Sequence, residues 1–287
     1  MNAVRTVKLN LKSRPTIEGA GVRLRRAFGY ADPSLDPFLL LDDFSSDNPN
    51  DYLPGFPWHP HRGIETITYI LKGKVEHGDS LGNGGTIGTG EVQWMTAGSG
   101  IIHQEMPKNI EDDPSLAGFQ LWANLPASHK MMEPRYRDIT QSDIPEVKVN
   151  DEIKVKIISG TFNGTQGPVQ GIITDPEYLD VAIQPFTKFK HSIRRGYNAI
   201  AYTFEGTAYF DNKKERLIEA KNLVIFNDGE EILVNTKDKP VRFLLISGKP
   251  IREPVAWSGP IVMNTEEELG VAFDELQKGT FIKHKRK

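Results

Sequence analysis

An all-β fold arranged as two similar domains in tandem is predicted from three observations. Short segments that alternate apolar and polar residues recur from end to end, punctuated by Gly, Pro, Asn and Asp. A stretch of the first half can be laid over one of the second. "HPHRGIETITYILKG" aligns with "SIRRGYNAIAYTFEG", with Arg62-Gly63 on Arg195-Gly196 and Gly73 on Gly206. A period this long is a duplicated domain and not a solenoid unit. Finally, helical periodicity is well marked only near the C-terminus.

Composition narrows the function. With 287 residues the chain accommodates two domains of ordinary size, and its 38% hydrophobic and 25% charged content is that of a soluble globular protein. No apolar run approaches the ~18 residues of a membrane span, and the opening "MNAVRTVKLNLKSRP" has no apolar stretch like that of a secretory signal. A cytoplasmic protein without membrane contact is expected, or a nuclear one in a cell with a nucleus. The net charge of -3 gives no footprint for direct nucleic-acid binding. The one basic run, "KHKRK" at the end, is expected to be a solvated tail. The absence of cysteine excludes disulfides, thiolate ligands, iron–sulfur clusters and a cysteine nucleophile. Any metal must be held by His, Asp or Glu.

Along the chain, strands are expected at "ETITYIL", "AGFQLWANL", "YLDVAIQPF", "NAIAYTFEG", "NLVIFND" and "VRFLLISG". The first belongs to "PWHPHRGIETITYIL", residues 57 to 71, which reads as one strand with His59, His61, Glu65, Ile67, Tyr69 and Leu71 on one inward face. The Gly-rich "GNGGTIGTGE", 82 to 91, lacks the Gly-Lys-Ser/Thr ending of a phosphate loop, and hairpin turns are expected there. In "VQWMTAGSGIIHQEMP", His103 and Glu105 share a face with Gln104 opposite. The polar stretch from about 126 to 150 reads as a connector, giving domains 1–135 and 136–287. In "NTEEELGVAFDELQKG", Thr265 and Glu268 form a capping box and Gly279 follows the helix end. Leu269, Ala272, Phe273 and Leu276 make its apolar stripe, a structural cover.

Inward histidines and carboxylates need a partner. Burying such groups unpaired costs several kcal/mol per charge, and a divalent cation offsets that cost. Each i, i+2 pair spans ~6.6 Å between α-carbons, so two such strands facing each other across a barrel can make a four-ligand site. Glu65 and Glu105 both stand as candidate carboxylate ligands. Under the repeat register, Ser192, Arg194 and Asn198 take the places of His59, His61 and Glu65. Matching Gly98 to Gly229 puts Val234 and Thr236 in the places of His103 and Glu105, so the second copy is expected to lack the whole set. His77, His129, His191 and His284 occur singly, as exposed or structurally hydrogen-bonded residues.

The run "FPWHPHRGIETITYILKGKVEHGDSLGNGGTIGTGEVQWMTAGSGIIHQEMP" resembles the metal-binding half of the pirin family, within the cupin superfamily. "PVRFLLISGKPIREPVAWSGPIVMNT" resembles the end of the pirin second domain, so the likeness covers most of the chain. It implies a bicupin, two tandem jelly-roll domains with a C-terminal helix. It also implies Fe(II) in the first domain, held by His59, His61, His103 and Glu105, although Mn, Ni, Cu and Zn suit the same donors. Glu65 occupies the general cupin ligand position, and pirins use the later Glu; Glu65 remains a candidate to orient a ligand imidazole. Thr96, where the general motif often has Pro, also resembles pirins.

Three histidines and a carboxylate leave up to two positions open on an octahedral ion, which suits non-heme iron oxygenases. Pirins are similar to quercetin 2,3-dioxygenases. The resemblance therefore implies a flavonol in the mouth of the first barrel, opened by dioxygen with release of carbon monoxide. Glu105 is then the catalytic base that accepts the 3-hydroxyl proton. Tyr69, Phe56 and Trp94 are candidates to flank a flat substrate. The same resemblance implies a second role, a non-enzymatic iron-binding regulator acting through protein partners, which the acidic charge suits. A Zn-dependent sugar isomerase is a more distant cupin alternative. A monomer is implied.

Overall fold

Residues 3–110 and 113–284 are described by the computed structural model, in which strands take 53% of the chain and helices 8%. The alternating segments fall on the strands Ile64–Lys72, Ala117–Asn124, Glu177–Ile183, Asn198–Tyr209, Asn222–Phe226 and Val241–Gly248. Their β-branched and aromatic residues fit a pleated surface. The all-β expectation holds.

One unit comprises residues 14–31, 38–141 and 251–287. It is a jelly roll of two antiparallel sheets. Seven strands run in the order Arg135–Ile139, Val92–Thr96, Ile64–Lys72, Ala117–Asn124, Phe38–Asp43, Val22–Gly29, Arg14–Glu18. Four more run Phe56–His61, Ile101–Lys108, Lys74–Asp79, Gly84–Gly88. Val22, Leu24 and Ile70 of the first sheet and the adjoining Leu116 pack with Val75 and Ile87 of the second. The other unit, residues 1–13, 32–37 and 142–250, is built on a ten-stranded antiparallel sheet. Ile157, Leu179, Phe189, Val234 and Phe243 pack together in an apolar core of this unit.

The two units exchange termini, unlike the expected division into 1–135 and 136–287. Strand Val7–Lys12 pairs with Asn222–Phe226, which draws residues 1–13 into the second unit. Residues 251–287 return to the first. Nor is 126–150 irregular. Arg135–Ile139 adds to Val92–Thr96 and Glu146–Asn150 adds to Ile153–Ser159, so the segment supplies an edge strand to each side. Edge strands stay partly wet, which is why these read as polar linker.

The expected continuous strand over 57–71 is two strands in different sheets, Phe56–His61 and Ile64–Lys72. The break lies at Gly63, whose φ is +79°, and whose N–H donates to the Gly98 carbonyl at 2.8 Å. A Cβ there would stand 1.9 Å from the Val262 carbonyl oxygen, so no other residue fits this corner. The Gly-rich segment forms the strand Gly84–Gly88 with a turn on either side, so the expected hairpin turns flank a strand that the glycines concealed. Asp79 accepts from the backbone N–H groups of Leu81 at 2.8 Å and Asn83 at 2.9 Å, closing the hairpin between Lys74–Asp79 and Gly84–Gly88.

The helix is Glu266–Gln277, with both arms of the Thr265–Glu268 capping box formed and Gly279 at φ +70° beyond it. Leu269 and Ala272 are buried, and Phe273 and Leu276 pack with them against Ala256, Ile261 and Phe281. Of the terminal basic run, Lys283 pairs with Glu275 at 2.6 Å, while Lys285, Arg286 and Lys287 lie outside the described residues. Among the described residues no helix is long and apolar enough to cross a membrane.

Candidate metal centre

Strands Phe56–His61 and Ile101–Lys108 are antiparallel neighbours, with His59 opposite His103 and His61 opposite Ile101. Cross-strand partners share a face. The three rings therefore meet inside the first jelly roll, with centroids 4.4 to 5.0 Å apart. Their candidate ligand nitrogens all lie within 4.8 Å of one another.

The hydrogen bonds decide what those nitrogens offer. His59 Nδ1 lies 2.8 Å from the Pro57 carbonyl and His61 Nδ1 lies 3.0 Å from the Pro260 carbonyl. A carbonyl can only accept, so each Nδ1 donates and each neutral ring keeps its Nε2 lone pair. Those two Nε2 atoms face each other at 3.1 Å. Two lone pairs at that distance repel unless a cation or proton lies between them. His103 Nε2, buried beside them, has no hydrogen-bond partner. Burial holds His61 down to about 3, with neighbouring His59 adding to the effect and the Pro260 carbonyl opposing it. His103 is pushed well below its ordinary value by burial, then by His61, His59 and His77. Burial thus keeps His61 and His103 neutral, and with His59 they converge, which is what a divalent ion requires of imidazoles.

Glu105 lies on the same strand as His103, beyond a register shift that sets it opposite Phe56. Burial raises its carboxyl, while His59 and the Thr68 hydroxyl draw it back down. Thr68 Oγ1 donates to Glu105 Oε1 at 2.8 Å and lies 2.5 Å from the Gln120 side-chain amide. Thr68 and Gln120 belong to a polar row crossing the larger sheet. Arg26, Asp42, Gln120, Thr68, Gln93 and Asp138 are successive cross-strand partners. Arg26 clamps Asp42 through Nε at 2.8 Å and Nη2 at 2.7 Å. Burial nevertheless raises Asp42 to about 6 against that clamp. Beside the histidines opens a cavity of about 630 Å³, whose lining includes Arg26, Gln120, Trp122 and Trp257 with apolar Leu24 and Leu116.

Several sequence expectations change here. Glu65 is an odd number of residues from Thr68, so it lies on the opposite face of its strand from the cavity. Its Oε1 accepts from Thr96 at 2.7 Å, and it orients no imidazole of the cluster. Tyr69 and Trp94 are buried and absent from the cavity wall; Phe56 lines it, together with Trp122 and Trp257. The expectation failed because Ile64–Lys72 is buried on both faces, so apolar residues no longer mark the inner one. Pro260 and Gln120 carried no local signal.

The single histidines behave as expected. His77 bonds Tyr136 Oη at 2.7 Å, His129 bonds Ser128 at 2.8 Å and His284 lies 3.9 Å from Glu133. His191 corrects the repeat register. In the second barrel Val234 is paired with Phe189 and Ile232 with His191, as His103 is paired with His59 and Ile101 with His61. Phe189 and His191, not Ser192 and Arg194, thus match His59 and His61. The corner at 193–197 is longer than that at 62–63, which displaced the alignment. One histidine of the set survives, with Nε2 2.9 Å from Glu177 Oε2. Among the described residues the only three-histidine group is that of the first barrel.

Two jelly rolls in one chain, one of them enclosing a convergent group of three histidines, define a bicupin with a metal-compatible centre in its first domain. The chain belongs to the pirin family. Residues 21–123 match the family described as Pirin and residues 178–282 the Pirin C-terminal cupin domain. A pirin-like protein of Caulobacter vibrioides is 44% identical, covering 97% of this chain and 99% of its own. Human pirin is 40% identical over 95% of this chain and 92% of its own. The solved quercetin 2,3-dioxygenase of Acinetobacter baumannii superposes with a TM-score of 0.89 at 30% identity, covering 97% of this chain and 99% of that one.

Proposed function

We propose that the protein is a metal-dependent dioxygenase that cleaves flavonols such as quercetin in the first barrel. His59, His61, His103 and Glu105 are the proposed ligands of Fe(II). The observation that carries this reading is the convergence of three imidazoles, their ligand nitrogens within 4.8 Å of one another, beside a cavity of about 630 Å³. A bound first-row ion supplies a Lewis-acidic, redox-capable centre with open positions.

The chain's own groups supply the rest. A cavity of that size takes up a three-ring flavonol and removes it from water. Trp122 and Trp257, with ring centroids 5.9 Å apart, offer aromatic surface to its flat rings. Glu105 Oε accepts the 3-hydroxyl proton, and burial favours that transfer by raising the carboxyl's proton affinity. The Thr68 hydroxyl fixes one oxygen of that carboxylate by donating to it at 2.8 Å. Leu24 and Leu116 keep the far end of the ligand dry. The likeness to the Acinetobacter dioxygenase over nearly its whole length supports the assignment.

The test is anaerobic purification, elemental analysis and oxygen uptake with quercetin, comparing the parent with His61→Ala. Uptake that disappears together with iron is the expected outcome. Full iron with no uptake across several flavonols would overturn the enzyme and favour the second reading, an iron-binding regulator that acts through protein partners.

A further inference from the structure

The group that orients His61 comes from the far end of the chain. Pro260, whose carbonyl receives the His61 Nδ1 proton at 3.0 Å, follows the tight turn at Gly259, between strands Ala256–Ser258 and Ile261–Met263. His59 differs, because its carbonyl partner Pro57 lies in its own strand. Residues 251–287 thus contribute an atom that the His61 ring needs in order to present Nε2 inward.

Two buried cations fasten this arm, and both act at the corner that follows His61. Lys130, 1% exposed, donates from Nζ to the Gly63 carbonyl at 2.9 Å, Asn124 Oδ1 at 2.6 Å and the Val262 carbonyl at 3.1 Å. All three ammonium hydrogens are engaged, one of them on the arm. Arg62, also 1% exposed, donates to the Ser99 carbonyl at 2.7 Å, to Glu275 at 2.7 Å and to the Phe281 carbonyl at 3.0 Å. Its guanidinium lies 4.2 Å from the centroid of the Phe281 ring. In return, Val262 N–H donates to the Arg62 carbonyl at 3.1 Å. Burying a cation costs several kcal/mol, and apolar residues of similar volume hold a core together at least as well. Packing alone does not account for two of them here.

We propose that residues 251–284 act as a strap on the metal centre, with Pro260 orienting His61 and with Lys130 and Arg62 as positioning residues that hold the strap in place. The inference rests on the reading of His61 as a metal ligand and is independent of the flavonol chemistry. Because coupling between two sites is reciprocal, an ion at the histidines tightens the strap, and anything that lifts the strap weakens the grip on the ion.

The test uses the full chain, nickel(II) as probe, and the variants Lys130→Met and Glu275→Gln. Nickel release into excess chelator is timed, hydrogen exchange over 256–263 is followed with and without nickel, and metal-free melting is recorded. Release should quicken about 10- to 100-fold in Lys130→Met and toward the lower end of that range in Glu275→Gln, the cost usual for groups that orient a ligand. Nickel should slow exchange over the arm of the parent. Glu275 is partly exposed, so its variant decides the matter if Lys130→Met does not fold. Parental release rates in a folded Glu275→Gln, or exchange over the arm indifferent to nickel, would overturn the strap. A parent that takes up no nickel would instead refute the ligand assignment, and the strap with it.

Discussion

Replacing His61 with Asn should flatten the acid sensitivity of the first jelly roll in metal-free protein. Asn keeps an amide donor for the Pro260 carbonyl and removes the titrating ring. The parental imidazole titrates near 6.5 when unfolded and about 3 when folded, mainly because of burial. Between those values only the unfolded chain takes up the proton. Stability is therefore intact above about pH 6.5 and is lost as pH falls toward about 3, at roughly 1.4 kcal/mol per unit. At about pH 4.5, two units below the unfolded value, this one residue costs about 3 kcal/mol. All four tryptophans, Trp58, Trp94, Trp122 and Trp257, belong to this unit, so urea unfolding followed by tryptophan emission reports on it alone. With chelator present, the parent should lose about 3 kcal/mol more than His61→Asn between pH 7 and about pH 4.5. Parallel losses would refute a buried neutral His61.

Two further perturbations test the surroundings of the centre. Thr68→Val keeps the shape of the side chain but deprives Glu105 of its donor; calorimetric titration with nickel(II) should give an affinity lower by about tenfold with the fold unchanged. Equal affinity would detach Glu105 from the ion. Gly63→Ala should unfold the first jelly roll or cost more than ~3 kcal/mol, whereas Gly164→Ala, at the same φ of +79°, meets nothing within 4 Å and should cost only ~1–2 kcal/mol. Similar melting of the two variants would show that the Val262 carbonyl does not crowd Gly63.

Features set by neighbours in sequence were legible in it, and those that depend on two distant segments were not. Period-two alternation marked the strands, and the three-residue spacing of Thr265 and Glu268 marked the start of the helix. The histidine cluster was legible for the same reason: His59 and His61 share one face of their strand, and His103 faces them from the next. The carry-over from His61 to Glu65 failed because Gly63 turns the chain from one sheet into the other. Thr68 and Gln120 hid behind the rule that polar residues face water, which has no force on a strand buried on both sides. Pro260 stands 199 residues from the ring it orients, and no pattern within either segment points to the other. The place of His191 depended on the length of a corner, which the aligned Arg-Gly dipeptides concealed.

The exchange of termini sets an order on biosynthesis. The barrel that houses the histidines leaves the ribosome first, yet Pro260, Val262 and the covering helix are translated last. Its twin has residues 1–13 in hand from the beginning and can close once residue 250 has emerged. A chain cut before residue 251 would keep every segment of the second unit and would lack the carbonyl that orients His61.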